Sequence, residues 1–275
     1  MLLAQQTDME GRMGKLLKIR KLTLGDGNPR ICATLTGKTP EDIWTAAKAA
    51  KAAGAHLAEW RADGYEGVED IMKTKAVAAL LREVLGEKPI LFTYRTEDGM
   101  HEIDKADYIR LNRKIAESRL VDLIDVEYLM GDQVCRELIA CAHECGVKVI
   151  VSNYDVTGTP DREELKALLQ RMRAVGADIP KVAVTPQNPL DVLELLGATY
   201  EFLQAQEDCP VITMSMKWLG CLSRISGMFF GSAVTFVDTG RTLAPGQLSV
   251  KEVKQMFKIL KNPNQQDIKK FKGEA

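Results

Sequence analysis

Short apolar, β-branched runs alternate along the chain with longer stretches whose apolar residues recur every three to four positions. The runs cover residues 31–35, 56–61, 89–94, 123–127, 148–152, 181–184, 211–214 and 233–236, and they predict β-strands. The stretches at 40–53, 68–85, 105–118, 132–145, 160–175, 189–206 and 219–228 predict amphipathic helices. Strand–helix alternation demands parallel strands joined by crossovers, which defines the α/β class. Eight strands are what a closed (β/α)8 TIM barrel requires. The competing doubly wound sheet usually carries GxGxxG or GxxxxGK[ST] after a strand, and neither occurs. No linker or composition shift divides the chain, so residues 1–275 read as one barrel domain.

Local signals sharpen the boundaries. Thr159-Pro160 ahead of Asp161, Glu163 and Glu164 is a helix start, with proline early and acids in the first turn. Gly54, Gly146 and Gly176 read as helix stops. Residues 16–28 hold two short extended runs around Lys21, which predict an N-terminal hairpin across the bottom of the barrel. The segments 1–15 and 261–275 read as flexible ends.

Composition narrows the partners. Lysine and arginine total 37 against 38 acidic residues, a net charge of −1, so no basic field suggests nucleic-acid binding. A hydrophobic content of 45% with 27% charged residues excludes disorder. No apolar run approaches the roughly 18 residues of a membrane span. The early acidic residues do not fit a signal peptide, so a cytoplasmic protein is expected. The six cysteines form no CxxC pair and read as reduced thiols. Cys141 and Cys145 share a helix face that His143 does not join, and further ligands are lacking, so no metal site is expected. No cofactor motif occurs.

In a barrel, chemistry gathers at the C-terminal ends of the strands. Lys181 lies in an apolar strand. It is either inward-facing and desolvated, which would lower its pKa and free the amine to attack a ketone, or a solvated strand-end charge. Arg61, Arg95 and Arg224 fall at three strand ends. Each alone suits an ion pair, Arg61 with Glu59 or Asp63 for instance; together they suit a small carboxylate-bearing substrate. Thr34 and Gln247 would add groups for hydroxyls, and Glu59 would orient an arginine. Asp122, Asp125 and Glu127 alternate around the fourth strand and read as structural. The three histidines are dispersed: His56 at a strand start, His143 on a helix, His101 in a top-face loop.

These residues sit in runs that resemble the type I 3-dehydroquinate dehydratase family over about residues 16–260: ICATLTGKT, AEWRAD, KPILFTYRT, LIDVEY, VKVIVSNYD, GADIPKVAVTPQ, ITMSM, LSRISG, FGSAVTF and APGQLS. The resemblance implies a (β/α)8 barrel, usually dimeric, working in the shikimate pathway toward aromatic amino acids. It implies dehydration of 3-dehydroquinate to 3-dehydroshikimate through a lysine imine, with no metal or organic cofactor. Lys181 matches the imine-forming lysine and Arg224 the arginine that holds the substrate carboxylate. Glu59, Arg61, Arg95 and Gln247 match polar residues lining the substrate site, and Thr34 stands where a serine is common.

The chain departs from the family at the proton-transfer pair. The strand-five motif, serine, asparagine or tyrosine, then histidine, aspartate and phenylalanine, is here Ser152-Asn153-Tyr154-Asp155-Val156. Tyr154 therefore occupies the position of the acid/base histidine. The glutamate that partners this histidine is, by ungapped count from Arg95, Gly99, with Glu97 or Asp98 as substitutes if the loop shifts. Leu243 stands where many members have serine. Three readings follow: a dehydroquinate dehydratase of reduced activity using Tyr154 or a loop acid, a Schiff-base lyase or aldolase for another carboxylated ketone, or a non-catalytic ligand-binding relative.

Overall fold

The computed structural model describes residues 16–96, 99–205, 209–237 and 247–261. Both proposed flexible ends (apart from Lys261), together with Glu97, Asp98 and Leu243, lie outside the described residues. Strands β1 (Leu17–Ile19) and β2 (Leu22–Leu24) form an antiparallel ribbon. Then come β3 (Arg30–Leu35), β4 (Leu57–Arg61), β5 (Ile90–Thr93), β6 (Leu123–Glu127), β7 (Lys148–Asp155), β8 (Ile179–Val184), β9 (Ile212–Ser215) and β10 (Val234–Val237). These eight are parallel, in the order β10-β3-β4-β5-β6-β7-β8-β9. A bridge between Val211 and Ser232 joins the last pair, so the sheet is a nearly closed (β/α)8 barrel.

The helices α1 (Pro40–Ala53), α2 (Ile71–Leu85), α3 (Lys105–Ser118), α4 (Asp132–Glu144), α5 (Arg162–Ala174) and α6 (Pro189–Ala205) follow the predicted stretches closely. α5 starts after Asp161, whose carboxylate accepts from the Glu164 amide at 2.9 Å, so the aspartate rather than the preceding proline caps it. Two differences concern the last third. The predicted helix at 219–228 is broken into α7 (Cys221–Ile225) and α8 (Gly227–Phe230). A Cβ on Gly227 would come within 2.6 Å of the Ser232 carbonyl and 2.9 Å of Pro29, so a tight backbone approach takes precedence over helical continuity there. The second is an unpredicted helix, α9 (Val250–Lys261). Ser249 and Glu252 cap it reciprocally, and Val250, Val253 and Phe257 bury one stripe.

Strand parity decides what the barrel contains. Alternate residues such as Ala33, Trp60, Phe92, Ile124, Val151 and Val182 face outward and pack beneath the helices. The other set faces inward, in layers. The lowest layer is apolar: Leu57, Leu91, Leu123, Ile150, Ile179 and Ile212 cluster with Ile19 and Leu24 of the ribbon. The ribbon thus plugs the bottom, as the hairpin pattern predicts. Above that floor the inward positions turn polar and charged: Thr34, Glu59, Thr93, Asp125, Ser152 and Lys181, all buried.

Leu24 is 1% exposed within the plug. Leu24→Ala is expected to cost about 2–5 kcal/mol of stability, read as a shift of the denaturant unfolding midpoint. An unchanged midpoint would show that the ribbon does not pack against the floor.

Candidate active site

The site is built where the inward layer carries charge. Lys181 reaches the barrel centre from β8 with no solvent exposure. Its Nζ donates to Asp125 Oδ2 at 2.9 Å and lies 3.7 Å from Glu59 Oε1. Burial by itself depresses a lysine pKa, as the sequence suggests for Lys181. Here the carboxylate of Asp125, then Tyr154 and Glu59, outweigh burial and hold the ammonium above the ordinary lysine value. The resting lysine is therefore a charged member of an ion pair, and not the free amine that desolvation alone would make. Asp125 shows the mirror image. Burial opposes its charge, but Arg95 and Lys181 overcome it and bring the carboxyl down to about 2.

Each neighbour is fixed. Asp125 accepts from Ser152 Oγ at 2.5 Å. Glu59 accepts from Thr34 at 3.1 Å and from Thr93 at 3.0 Å, so both of its oxygens are occupied. Arg95 is almost fully buried; it lies 3.2 Å from Asp125 and donates to Glu127 at 2.8 Å and Ser152 at 3.0 Å. Glu127 in turn accepts from the Thr96 amide and hydroxyl, at 3.1 and 2.5 Å. A continuous polar chain thus runs from Lys181 through Asp125, Ser152, Arg95 and Glu127 to the loop after β5. Tyr154 lies over it. Its ring centroid is 4.0 Å from the Arg95 guanidinium carbon and 5.4 Å from Lys181 Nζ.

The three arginines differ sharply. Arg61 is paired with Asp63 through two hydrogen bonds of 2.8 Å, and Asp63 also accepts from the Arg95 and Met100 amides. Arg95 is charge-matched by Asp125 and Glu127 of the buried chain, although its Nε, like that of Arg224, has no hydrogen-bond partner. Arg224 alone has no acidic partner among the described residues. It is 5% exposed, makes one long contact of 3.4 Å to the Phe236 carbonyl, and leaves Nε without a partner. Burial lowers its pKa. An uncompensated buried guanidinium is costly and suits a ligand anion. Gln247 is half-buried just ahead of α9.

Other sequence candidates lie elsewhere. Asp122 is at the opposite end of β6 from Glu127, holding Arg82 and Arg20 at 2.5 Å each. His56 accepts from the Ile31 amide, and His143 contacts Asp178 at 2.7 Å below β8. His101 bonds the Asp63 carbonyl through Nδ1 in the top loop. Among the described residues no group of three His, Cys, Asp or Glu side chains could hold a metal, and no helix is long and apolar enough to cross a membrane. Asp125 and Ser152 escaped the sequence reading as site residues. The parity of the LIDVE run, which turns Asp125 and Glu127 to the same face as Lys181 on its own strand, was the available signal. Gly99 is tight: a Cβ there would sit 2.0 Å from the Arg95 carbonyl, so this position cannot carry a glutamate in the described conformation.

The parallel barrel thus brings a buried, ion-paired lysine together with a buried arginine that has no acidic partner among the described residues. The chain belongs to the type I 3-dehydroquinase family, whose model matches residues 31–264. A 3-dehydroquinate dehydratase of Clostridioides difficile strain 630 is 44% identical over 250 residues, covering 90% of this chain and 98% of that protein. The solved type I 3-dehydroquinate dehydratase from Clostridium difficile, with covalent modified comenic acid, aligns with a TM-score of 0.87 at 44% identity over 90% of this chain and 98% of its own. The 3-dehydroquinate dehydratase from Geobacillus kaustophilus HTA426 aligns with a TM-score of 0.88 at 37% identity over 91% and 98%.

Removing Lys181 takes away one of the two cations that compensate buried Asp125. Lys181→Met is expected to cost about 3–5 kcal/mol, and the pair Lys181→Met/Asp125→Leu to recover most of that in the same unfolding assay. Asp125 also has an acid signature. Its folded value of about 2 lies below its ordinary 3.8, so its contribution is complete above about pH 4 and is lost as pH falls toward 2. Acid unfolding of Asp125→Asn should lack that component; an identical acid limb would contradict the pairing.

Proposed function

We propose that this protein dehydrates 3-dehydroquinate to 3-dehydroshikimate, the shikimate-pathway step, through an imine on Lys181. The observation that carries the reading is the buried Lys181–Asp125–Glu59 cluster beneath a barrel mouth that also holds Arg224, which has no acidic partner among the described residues. Family membership supports the substrate. In this reading Arg224 holds the substrate carboxylate by charge-assisted hydrogen bonds. Thr34, Glu59, Arg61, Arg95 and Gln247 line the cavity and fix the orientation of the hydroxyls. Lys181 adds to the ketone and expels water, and the imine is an electron sink that eases removal of the adjacent proton. Elimination then needs one proton taken from that carbon and one delivered to the departing hydroxyl; hydrolysis of the imine releases product.

Tyr154 is the residue at hand for those transfers, with its ring against Arg95 and Lys181. A phenol is a weaker base than an imidazole at neutral pH, and a well-placed acid/base contributes roughly 10²–10⁴-fold. Activity is therefore expected to be lower than with histidine at this position. Tyr154→His should raise kcat on 3-dehydroquinate by about tenfold or more, followed by the absorbance of the conjugated enone product. Because a Cβ at Gly99 has no room, this single change is the proper test, without a glutamate at 99. An unchanged rate would remove Tyr154 from proton transfer, and no enone from the wild type would remove the proposed reaction.

A cytoplasmic homodimer completes the proposal. The neighbouring α6, α7 and α8 leave Leu190, Leu193, Leu222 and Phe229 exposed, with Trp218 in the preceding turn 76% exposed. Apolar exposure on this scale favours self-association. Leu222→Asp/Phe229→Asp is expected to halve the mass seen by sedimentation equilibrium; a wild type that sediments as a monomer would refute the dimer.

A further inference from the structure

We infer that Asp125 is the proton shuttle of imine formation: its carboxylate takes a proton from the Lys181 ammonium and delivers it to the hydroxyl that leaves as water. This rests on the imine reading above.

Geometry singles out Asp125 from the carboxylates near the lysine. Asp125 Oδ2 is in direct hydrogen-bond contact with Nζ at 2.9 Å, whereas Glu59 stands off at 3.7 Å with both oxygens taken by Thr34 and Thr93. The other Asp125 oxygen is held by Ser152, so the carboxylate cannot swing away. Both Lys181 and Asp125 are buried, so the acceptor nearest the ammonium proton is the carboxylate already in contact with it.

The chemistry balances within the pair. An ammonium and a ketone contain every atom of an iminium ion and one water. One N–H proton moves to Asp125 and frees the nitrogen lone pair, which bonds to the carbonyl carbon as the C=O π pair moves onto oxygen. A second N–H proton and the one parked on Asp125 both end on that oxygen; the nitrogen pair so released forms the C=N bond as the C–O bond breaks and its electrons leave with water. The iminium keeps the single positive charge, with Asp125 again ionised beside it. At rest the pair is ionised, because its neighbours outweigh burial on both partners, so the proton moves to Asp125 only as the nitrogen lone pair is captured by the carbonyl carbon. The charged and titratable groups facing the pair are Glu59 from β4, Arg95 after β5, Glu127 from β6, Tyr154 from β7 and Cys32 from β3.

The test follows the growth of the borohydride-trapped adduct by intact mass after mixing the whole protein with 3-dehydroquinate. In the wild type the rate is expected to vary less than about threefold between about pH 6 and 9, because the proton stays inside the pair. A rise of about tenfold per pH unit, the behaviour of a lysine that must lose its proton to solvent, overturns the shuttle. Asp125→Asn is expected to slow adduct growth by about 100-fold. Equal or faster growth, which loss of a simple charge clamp would cause by freeing the amine, overturns it too. If that variant fails to fold, the wild-type pH series decides alone. Absence of any adduct in the wild type overturns the imine reading itself, whereas an adduct with the wrong pH slope overturns only the shuttle.

Discussion

A lysine ammonium with no access to water is tolerable only against a carboxylate, and the 2.9 Å contact between Lys181 and Asp125 meets that condition at the centre of the barrel. The requirement propagates. Asp125 needs its second oxygen satisfied, which Ser152 does; Arg95 adds charge and draws in Glu127; Glu127 ties down the start of the loop after β5 through Thr96. The middle of the barrel is thus organised by charge compensation, where a packed barrel usually has branched apolar layers. The apolar floor sealed by the N-terminal ribbon keeps this chain dry from below. Helices and outward strand residues hold the frame that positions these partners.

The same logic distinguishes binding from structure among the arginines. Arg61 and Arg95 are matched by internal acids, and their role is to shape the cavity. Arg224 is buried without such a match among the described residues. That uncompensated charge is why Arg224, of the three, is proposed as the anchor for a substrate carboxylate. Tyr154 covers the chain, with its ring over Arg95 and Lys181.

Much of this was legible in the residues. The eight strands were readable because each carries a short β-branched run between turn signals, and the ribbon because of two extended runs around Lys21. Lys181 stood out as a charge in an apolar strand. What escaped reading depended on partners remote in sequence. The direction of the Lys181 pKa is set by Asp125, 56 positions away, and strand register brings the two together. Asp125 reads as structural from sequence because no histidine lies near it; strand parity and register separate it, facing the lysine, from Asp122, tied to Arg82 at the other end. The break between α7 and α8 comes from a backbone approach to Ser232 and Pro29 that no local pattern encodes. α9 was passed over because its buried stripe sits in a polar, lysine-rich stretch.

The account depends on Lys181 forming a covalent bond to a ketone. Peptide mapping after borohydride reduction of the protein with 3-dehydroquinate tests that most directly. The mass increment is expected on the peptide carrying Lys181, and on no peptide of Lys181→Met. An increment confined to another lysine, or none at all, would contradict the account.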